Sequence, residues 1–200
     1  MNDFKRIAFF DFDGTITSKD TLIEIIKFQK GNLSFYIGIF LNSPWLLGYK
    51  LGFIPNDTAK QKLLKYFFGG MKKEIFQENC DAFAATRLIR LIRPEALQEI
   101  SKLKAGNTEI VIVSASAANW IRKWSDSLLL ELVSTTLEIK SGMITGRIEG
   151  KNCQGQEKVR RILERWNLAD FDEIYAYGDS EADKPMLALA TKSFYKPFKP

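Results

Sequence analysis

Residues 6–22 read "RIAFFDFDGTITSKDTL". Ile7, Ala8, Phe9 and Phe10 form an uninterrupted apolar run, which predicts a short strand over 6–12 buried on both faces. At its end stand two carboxylates, Asp11 and Asp13, followed by Gly14 and Thr15. Carboxylates are costly to bury unless something offsets their charge. Strict alternation would point the two acids differently, but a turn at Gly14 lets the chain curl so that both face one pocket. From Ser18 the pattern turns helical, and Asp20 with Thr21 can cap the first turn.

Outward from this stretch the chain divides by pattern. Residues 20–93 carry Leu, Ile, Phe and Lys at helical spacings, broken at 31–32, 42–44, 55–57 and 69–70, with no strong strand signal. They predict an all-helical cap inserted after the first strand. After Pro94 come a helix over 95–105, a buried strand over 109–113 stopping at Ser114, and a helix over 117–127. Two strands, 132–139 and 143–148, meet at Ser141-Gly142. A helix over 156–166, a strand over 173–177, a helix over 181–190 and a short strand over 193–195 complete the chain. The alternation predicts an α/β, Rossmann-like parallel sheet with helices on both faces, built from 1–19 and 94–200, with 20–93 as the cap. In such folds ligands sit beyond the carboxyl ends of the strands. Asp11 with Asp13, Ser114, and Asp179 with Asp183 all fall there.

Composition narrows the chemistry. The chain has 200 residues, 46% hydrophobic, and a net charge of +5. That mild excess suits an anionic substrate, but no dense basic run points to nucleic acid. There is no histidine, so Ser-His-Asp and Cys-His sites and His-ligated zinc are excluded. Cys80 and Cys153 lie far apart and read as free thiols of a reducing cytoplasm. The motif at residue 11 leaves no room for a leader before it. The four tryptophans, Trp45, Trp120, Trp124 and Trp166, read as packing residues. Residues 31–49, "GNLSFYIGIFLNSPWLLGY", hold no charge. Interrupted by Asn42-Ser43-Pro44, they do not make a transmembrane span. Cap core or pocket wall is the plainer reading, and an apolar lip touching a lipid surface the other.

A strand-end carboxylate such as Asp11 can act as a nucleophile, and a second one, Asp13, can move the proton. With Asp179 and Asp183 they crowd four negative charges into one cleft. Each pair at about 4 Å costs roughly 1 kcal/mol in water and about 4 kcal/mol at an effective dielectric of 20. An all-oxygen donor set points to Mg²⁺ as the counter-charge. Lys158, with Lys151 as the other candidate, can hold a phosphate, as can the Ser114 hydroxyl and the backbone around Gly14, Thr15 and Ala115.

"DFDGT" at 11–15, "VSAS" at 113–116, the lysine of "QGQEKVRRI" and "GDSEADKPML" at 178–187 resemble the four motifs of the haloacid dehalogenase (HAD) superfamily. The insertion after the first motif resembles the helical C1 cap of its phosphoserine-phosphatase-like branch, subfamily IB. The resemblance implies a Mg²⁺-dependent phosphatase of phosphomonoesters working through an aspartyl-phosphate. Asp11 would be the nucleophile and a metal ligand. Asp13 would be the general acid/base, with its carbonyl on the metal. Ser114 and Lys158 would hold the phosphoryl group. Asp179 would be a metal ligand, and Asp183 would stand behind it. The substrate would be a small phosphorylated metabolite or a lipid head group. Asp20, Ala115-Ser116 and Ala182 depart from the Glu, glycines and Asn usual in phosphoserine phosphatases, so phosphoserine is not favoured, although Asp20 would be a substrate-binding residue able to reach an amino group. Phosphotransfer to an acceptor other than water and a non-catalytic phosphate-ester binder are the alternatives. The oligomeric state is not legible.

Overall fold

The computed structural model describes residues 4–199, so the expected core segments 1–19 and 94–200 reach past both described ends. Strand β1 (Arg6–Phe10) lies inside a six-stranded sheet. The other strands are β2 (Thr108–Ala117), β3 (Glu131–Lys140), β4 (Met143–Glu149), β5 (Glu173–Gly178) and β6 (Lys192–Tyr195), in the order β4-β3-β2-β1-β5-β6. Among the described residues, only the β3–β4 strand pair is antiparallel. Its turn has Ser141 at φ 49° and Gly142 at φ 74°, the two positive values that a tight two-residue hairpin needs.

Burial of β1 on both faces follows from its alternation. Ala8 and Phe10 join one apolar cluster, and Ile7 and Phe9 join the other. The second cluster is covered by α7 (Gln156–Leu163) and α8 (Lys184–Leu187). Helices α5 (Pro94–Ala105) and α6 (Ala118–Ser127) cover the first.

The first cluster does not stop at the sheet. Leu64, Phe67 and Phe68 enter it from α3 (Asn56–Phe68), and Phe76, Cys80 and Phe83 from α4 (Lys73–Thr86). The remaining helices of the insertion are α1 (Thr21–Leu41) and α2 (Ser43–Lys50). Gly31 interrupts α1 with φ 80° and ψ 162°, so it is two helical pieces across a kink. The chain leaves and re-enters the core through adjacent backbone. The Ser18 N–H donates to the Leu91 carbonyl, and the Arg93 N–H to that of Ile16. Hairpin β3–β4 reaches the insertion too: the Gly70 N–H donates to the Ile144 carbonyl and the Ile144 N–H to that of Met71.

Several expected elements shift. The strand expected to stop at Ser114 continues to Ala117 after a bulge between those residues. The helix expected over 156–166 ends at Leu163, and that over 181–190 becomes a 3₁₀ turn, Glu181–Asp183, leading into the short α8. Trp120, Trp124 and Trp166 pack as expected, but Trp45 is 38% exposed. Residues 31–49 are divided: Phe35 joins the first cluster, and Leu46 and Tyr49 line a cavity, while Leu33, Tyr36, Ile37, Phe40 and Leu47 are exposed. The apolar content there exceeds what one buried face can take. Cys80 and Cys153 are free and buried, and among the described residues no helix is long and apolar enough to cross a membrane.

Gly146 marks the tightest approach between β4 and α3. Its φ is 80°, and a Cβ there would overlap the Lys65 backbone, whereas one at Gly142 would meet open space. Gly142→Ala should therefore cost only the left-handed backbone penalty, about 1–2 kcal/mol. Gly146→Ala should cost clearly more in urea denaturation. Equal losses would show that the hairpin is not pressed against α3.

Candidate active site

Two neighbouring strands deliver the expected acids to one place. Asp11 follows β1, its N–H continuing the ladder to the Tyr177 carbonyl at 2.9 Å. Asp179 follows β5 directly, and Asp183 ends the turn after it. Carboxylate oxygens of Asp11, Asp179 and Asp183 lie within 4.8 Å of one another. Gly14, at φ 83°, makes this approach feasible: a Cβ there would sit 2.5 Å from Asp179 Oδ2.

Lys158 lies beneath the cluster, 1% exposed. Its ammonium donates to Asp11 Oδ1 at 2.6 Å and to Asp183 Oδ1 at 2.7 Å. Burial works against its charge, yet the two carboxylates hold it protonated above the usual lysine range. Burial pushes the Asp11 carboxyl up to about 7, with Lys158 pulling the other way. Asp183 stays below the ordinary range because Lys158 and the Ser180 donors outweigh burial. Its other oxygen accepts the Asp179 N–H, the Ser180 N–H and the Ser180 hydroxyl, so it is fully engaged in holding this loop. Lys151, the other lysine candidate, is exposed and lines a different surface hollow. Its carbonyl accepts Arg161 Nη2, which helps seat α7.

Asp13 stands apart from that cluster with its own supports. Thr21 donates its backbone N–H to Oδ1 at 2.7 Å, and the Ser116 hydroxyl donates to Oδ2 at 2.5 Å. Trp120 Nε1 donates to the Thr21 hydroxyl, which stands 3.0 Å from Ser116 Oγ, so a directed chain of donors ends on Asp13. Burial and the Asp20 charge raise its carboxyl to about 6 against those bonds.

The remaining expected residues fall into two groups. Ser114 is fully buried, and its oxygen accepts the Ser116 N–H at 3.0 Å. The bulge turns Ala115 and Ser116 outward into the cavity instead. Thr15 donates to Asp11 Oδ2 at 3.0 Å and more loosely to Asp179 Oδ1, and the Gly14 N–H faces Thr17 Oγ1. Both serve the loop itself. Asp20 caps α1 through the Ile23 N–H and also lines the cavity.

The cavity, about 790 Å³, has the acids as its floor and the insertion as its roof. Sequence analysis missed the roof's polar group. Lys60 of α3 donates to the Ala115 carbonyl at 2.6 Å and to Asn152 Oδ1 at 3.0 Å. Burial lowers its pKa, opposed by Asp13, Asp20 and Asp57. Asn56 of α3 likewise reaches Gln154 at 2.7 Å. No local pattern announces partners 55 to 98 residues apart. Ser116 was within the quoted "VSAS", but its role depends on the bulge. Lys199, also missed, donates to Asp179 Oδ2 at 2.6 Å.

The all-oxygen donor set, the glycine cradle and the excess of acid suit a hard divalent cation such as Mg²⁺. Residues 8–188 match the haloacid dehalogenase-like hydrolases. The chain belongs to this family. It is 31% identical over 196 residues to Protein CicA of Caulobacter vibrioides, covering 95% of this chain and 85% of that one. It is 24% identical to a phosphoserine phosphatase of Archaeoglobus fulgidus, spanning 95% of this chain but 52% of the relative. Among solved structures, a Bordetella pertussis Tohama I protein of unknown function superposes with a TM-score of 0.83 at 21% identity, covering 95% and 89% of the two chains. A phospho-aspartyl intermediate analogue of phosphoserine phosphatase gives 0.62 at 22% identity, covering 96% and 86%. This chain is thus a HAD-fold hydrolase whose relatives include phosphatases.

Removing Lys158 leaves two buried carboxylates unpaired. Lys158→Met should lose about 3–5 kcal/mol in urea unfolding, as for other broken buried ion pairs. Lys151→Met should unfold like wild type. A small loss for Lys158→Met would mean that water or another cation already screens the pair.

Proposed function

We propose that the protein hydrolyses phosphomonoesters through a phosphoaspartate on Asp11. The observation that carries this reading is the Asp11 carboxylate held between Lys158 and the Asp179–Asp183 loop, with a second carboxylate, Asp13, on separate supports. Membership of the hydrolase family and the phosphatase relatives support it.

In this mechanism an Asp11 oxygen attacks phosphorus and the bond to the ester oxygen breaks. Asp13, its carboxyl near 6, gives its proton to the departing alkoxide, which leaves as the alcohol. The Asp13 carboxylate then takes a proton from water, which attacks the phosphoaspartate. The Asp11–phosphorus bond breaks, and inorganic phosphate and the free carboxylate result. Lys158, which lines the cavity, would bind phosphoryl oxygens, while Ser114, expected to do the same, is closed off from the cavity and supports the bulge that carries Ala115 and Ser116. Asp11, Asp179 and the Asp13 carbonyl would hold Mg²⁺, with Asp183 fixing the loop that carries Asp179. The ion supplies Lewis-acid stabilisation of the phosphoryl oxygens and offsets the crowded acids. Residues 20–93 act as the substrate-selecting cap, bringing Lys60, Leu46 and Tyr49 to the cavity.

Hydrolysis of an aryl phosphate tests the chemistry. Asp11→Asn should abolish turnover. Asp13→Asn should lower kcat about 10²–10⁴-fold, the usual worth of a positioned acid/base. Substantial turnover by Asp11→Asn would overturn the covalent route. A chelator should stop the reaction and added Mg²⁺ restore it; activity that survives chelation would remove the metal from the proposal.

A further inference from the structure

The outer side of the insertion is unusually apolar for a surface. Leu33, Tyr36, Ile37 and Phe40 sit at positions i, i+3, i+4 and i+7 of α1, a single helical stripe, and all are exposed. The opposite stripe, Phe35, Gly38 and, just past the helix, Asn42, is the buried one. Leu47 of α2 and Leu51 and Phe53 behind it extend the exposed set. Phe40 and Phe53 are 75% and 81% exposed, values that packed aromatics do not reach.

Charge around this face has one sign. No Asp or Glu occurs between Glu24 and Asp57, while Lys30 and Lys50 do, and Lys62 and Lys65 follow on α3; Lys27 is instead paired with Glu24 over the buried Phe35 ring. Lys62 lies over the Trp45 ring at 4.1 Å. Exposed tyrosines and a tryptophan beside aliphatic tips and lysines suit the boundary between lipid headgroups and acyl chains. A second copy of this chain fits badly, because its lysines would meet lysines with no acids between them. The face is also continuous with the catalytic cavity: Leu46 and Tyr49 of α2 line that cavity, and Tyr49 is itself 45% exposed.

We propose that the α1–α2 face docks on an anionic lipid bilayer and presents the cavity to a phosphomonoester headgroup. The substrate part rests on the phosphatase reading; the docking part does not. Each lysine near an anionic surface contributes about fivefold to binding, so the preference over a neutral bilayer should be large and salt-sensitive.

Sedimentation of the full chain with phosphatidylglycerol–phosphatidylcholine vesicles, against phosphatidylcholine alone, tests the docking. Partition should be at least tenfold stronger on the anionic vesicles. Leu33→Asp, Phe40→Asp and Phe53→Asp, all at exposed positions outside the cavity, should each weaken it several-fold while thermal stability and aryl phosphate hydrolysis hold. Phosphatidic acid in the vesicles should be hydrolysed more slowly by these variants. Equal partition on both vesicle types, or partition indifferent to the substitutions, overturns the proposal. So does a wild-type dimer in light scattering that the same substitutions make monomeric. Loss of aryl phosphate hydrolysis in the wild type would instead sink the phosphatase reading, leaving the vesicle result to stand or fall by itself.

Discussion

A single ammonium makes the rest of the site sustainable. Lys158 sits between Asp11 and Asp183 in a place almost closed to water, and both acids depend on it for their burial. Isolated charges there would be prohibitively costly. The requirement propagates outward. Helix α7 must start where it does, and Arg161 secures it by gripping Glu157 and the carbonyls of Ser134 and Lys151. The loop after β5 must bend back so that Asp183 can meet the lysine while its second oxygen gathers three donors from Asp179 and Ser180. The Asp11 carboxylate is thus positioned by the ion pair that makes its burial tolerable.

Much of this was legible because local pattern and global fold agree. An apolar run with no polar face could only be a strand covered on both sides, and β1 is that. Ser141-Gly142 carried its hairpin in its residue types. Asp11 and Asp179 were legible because they follow β1 and β5 directly, at the strand ends where ligands collect. Residues outside such patterns were not. The bulge after Ser114 adds residues to one strand against its neighbour, which hydrophobic alternation does not encode, and it gives Ser116 the hydroxyl that meets Asp13. Lys60 looks like any lysine of an amphipathic helix; only the path of the chain brings it to Ala115 and Asn152. Residues 31–49 were legible as apolar but not as inward or outward, since both stripes of the helix are apolar.

The Asp13 carboxyl and the insertion share a hinge point in the chain. Asp13 belongs to the loop after β1, yet one of its two supports is the Thr21 N–H, the first residue of α1. Thr21 also takes the Trp120 indole on its hydroxyl. The orientation of the insertion's first helix and the placement of the carboxyl are therefore set together, by bonds that a change in either would disturb.

The contacts at residues 70–73 have a further consequence. There the insertion lends its backbone to β4, through Gly70, Met71 and Lys73, at the margin of the sheet. An open margin is a template for pairing with other chains, and here it is sealed from within the same polypeptide. Helices α3 and α4 on either side of this segment bring phenylalanines into the cluster shared with β1. Excising the insertion would bare both a strand flank and an oily surface at once. The remaining sheet would be prone to aggregate, so the part of the molecule that roofs the cavity also shields the core from other chains.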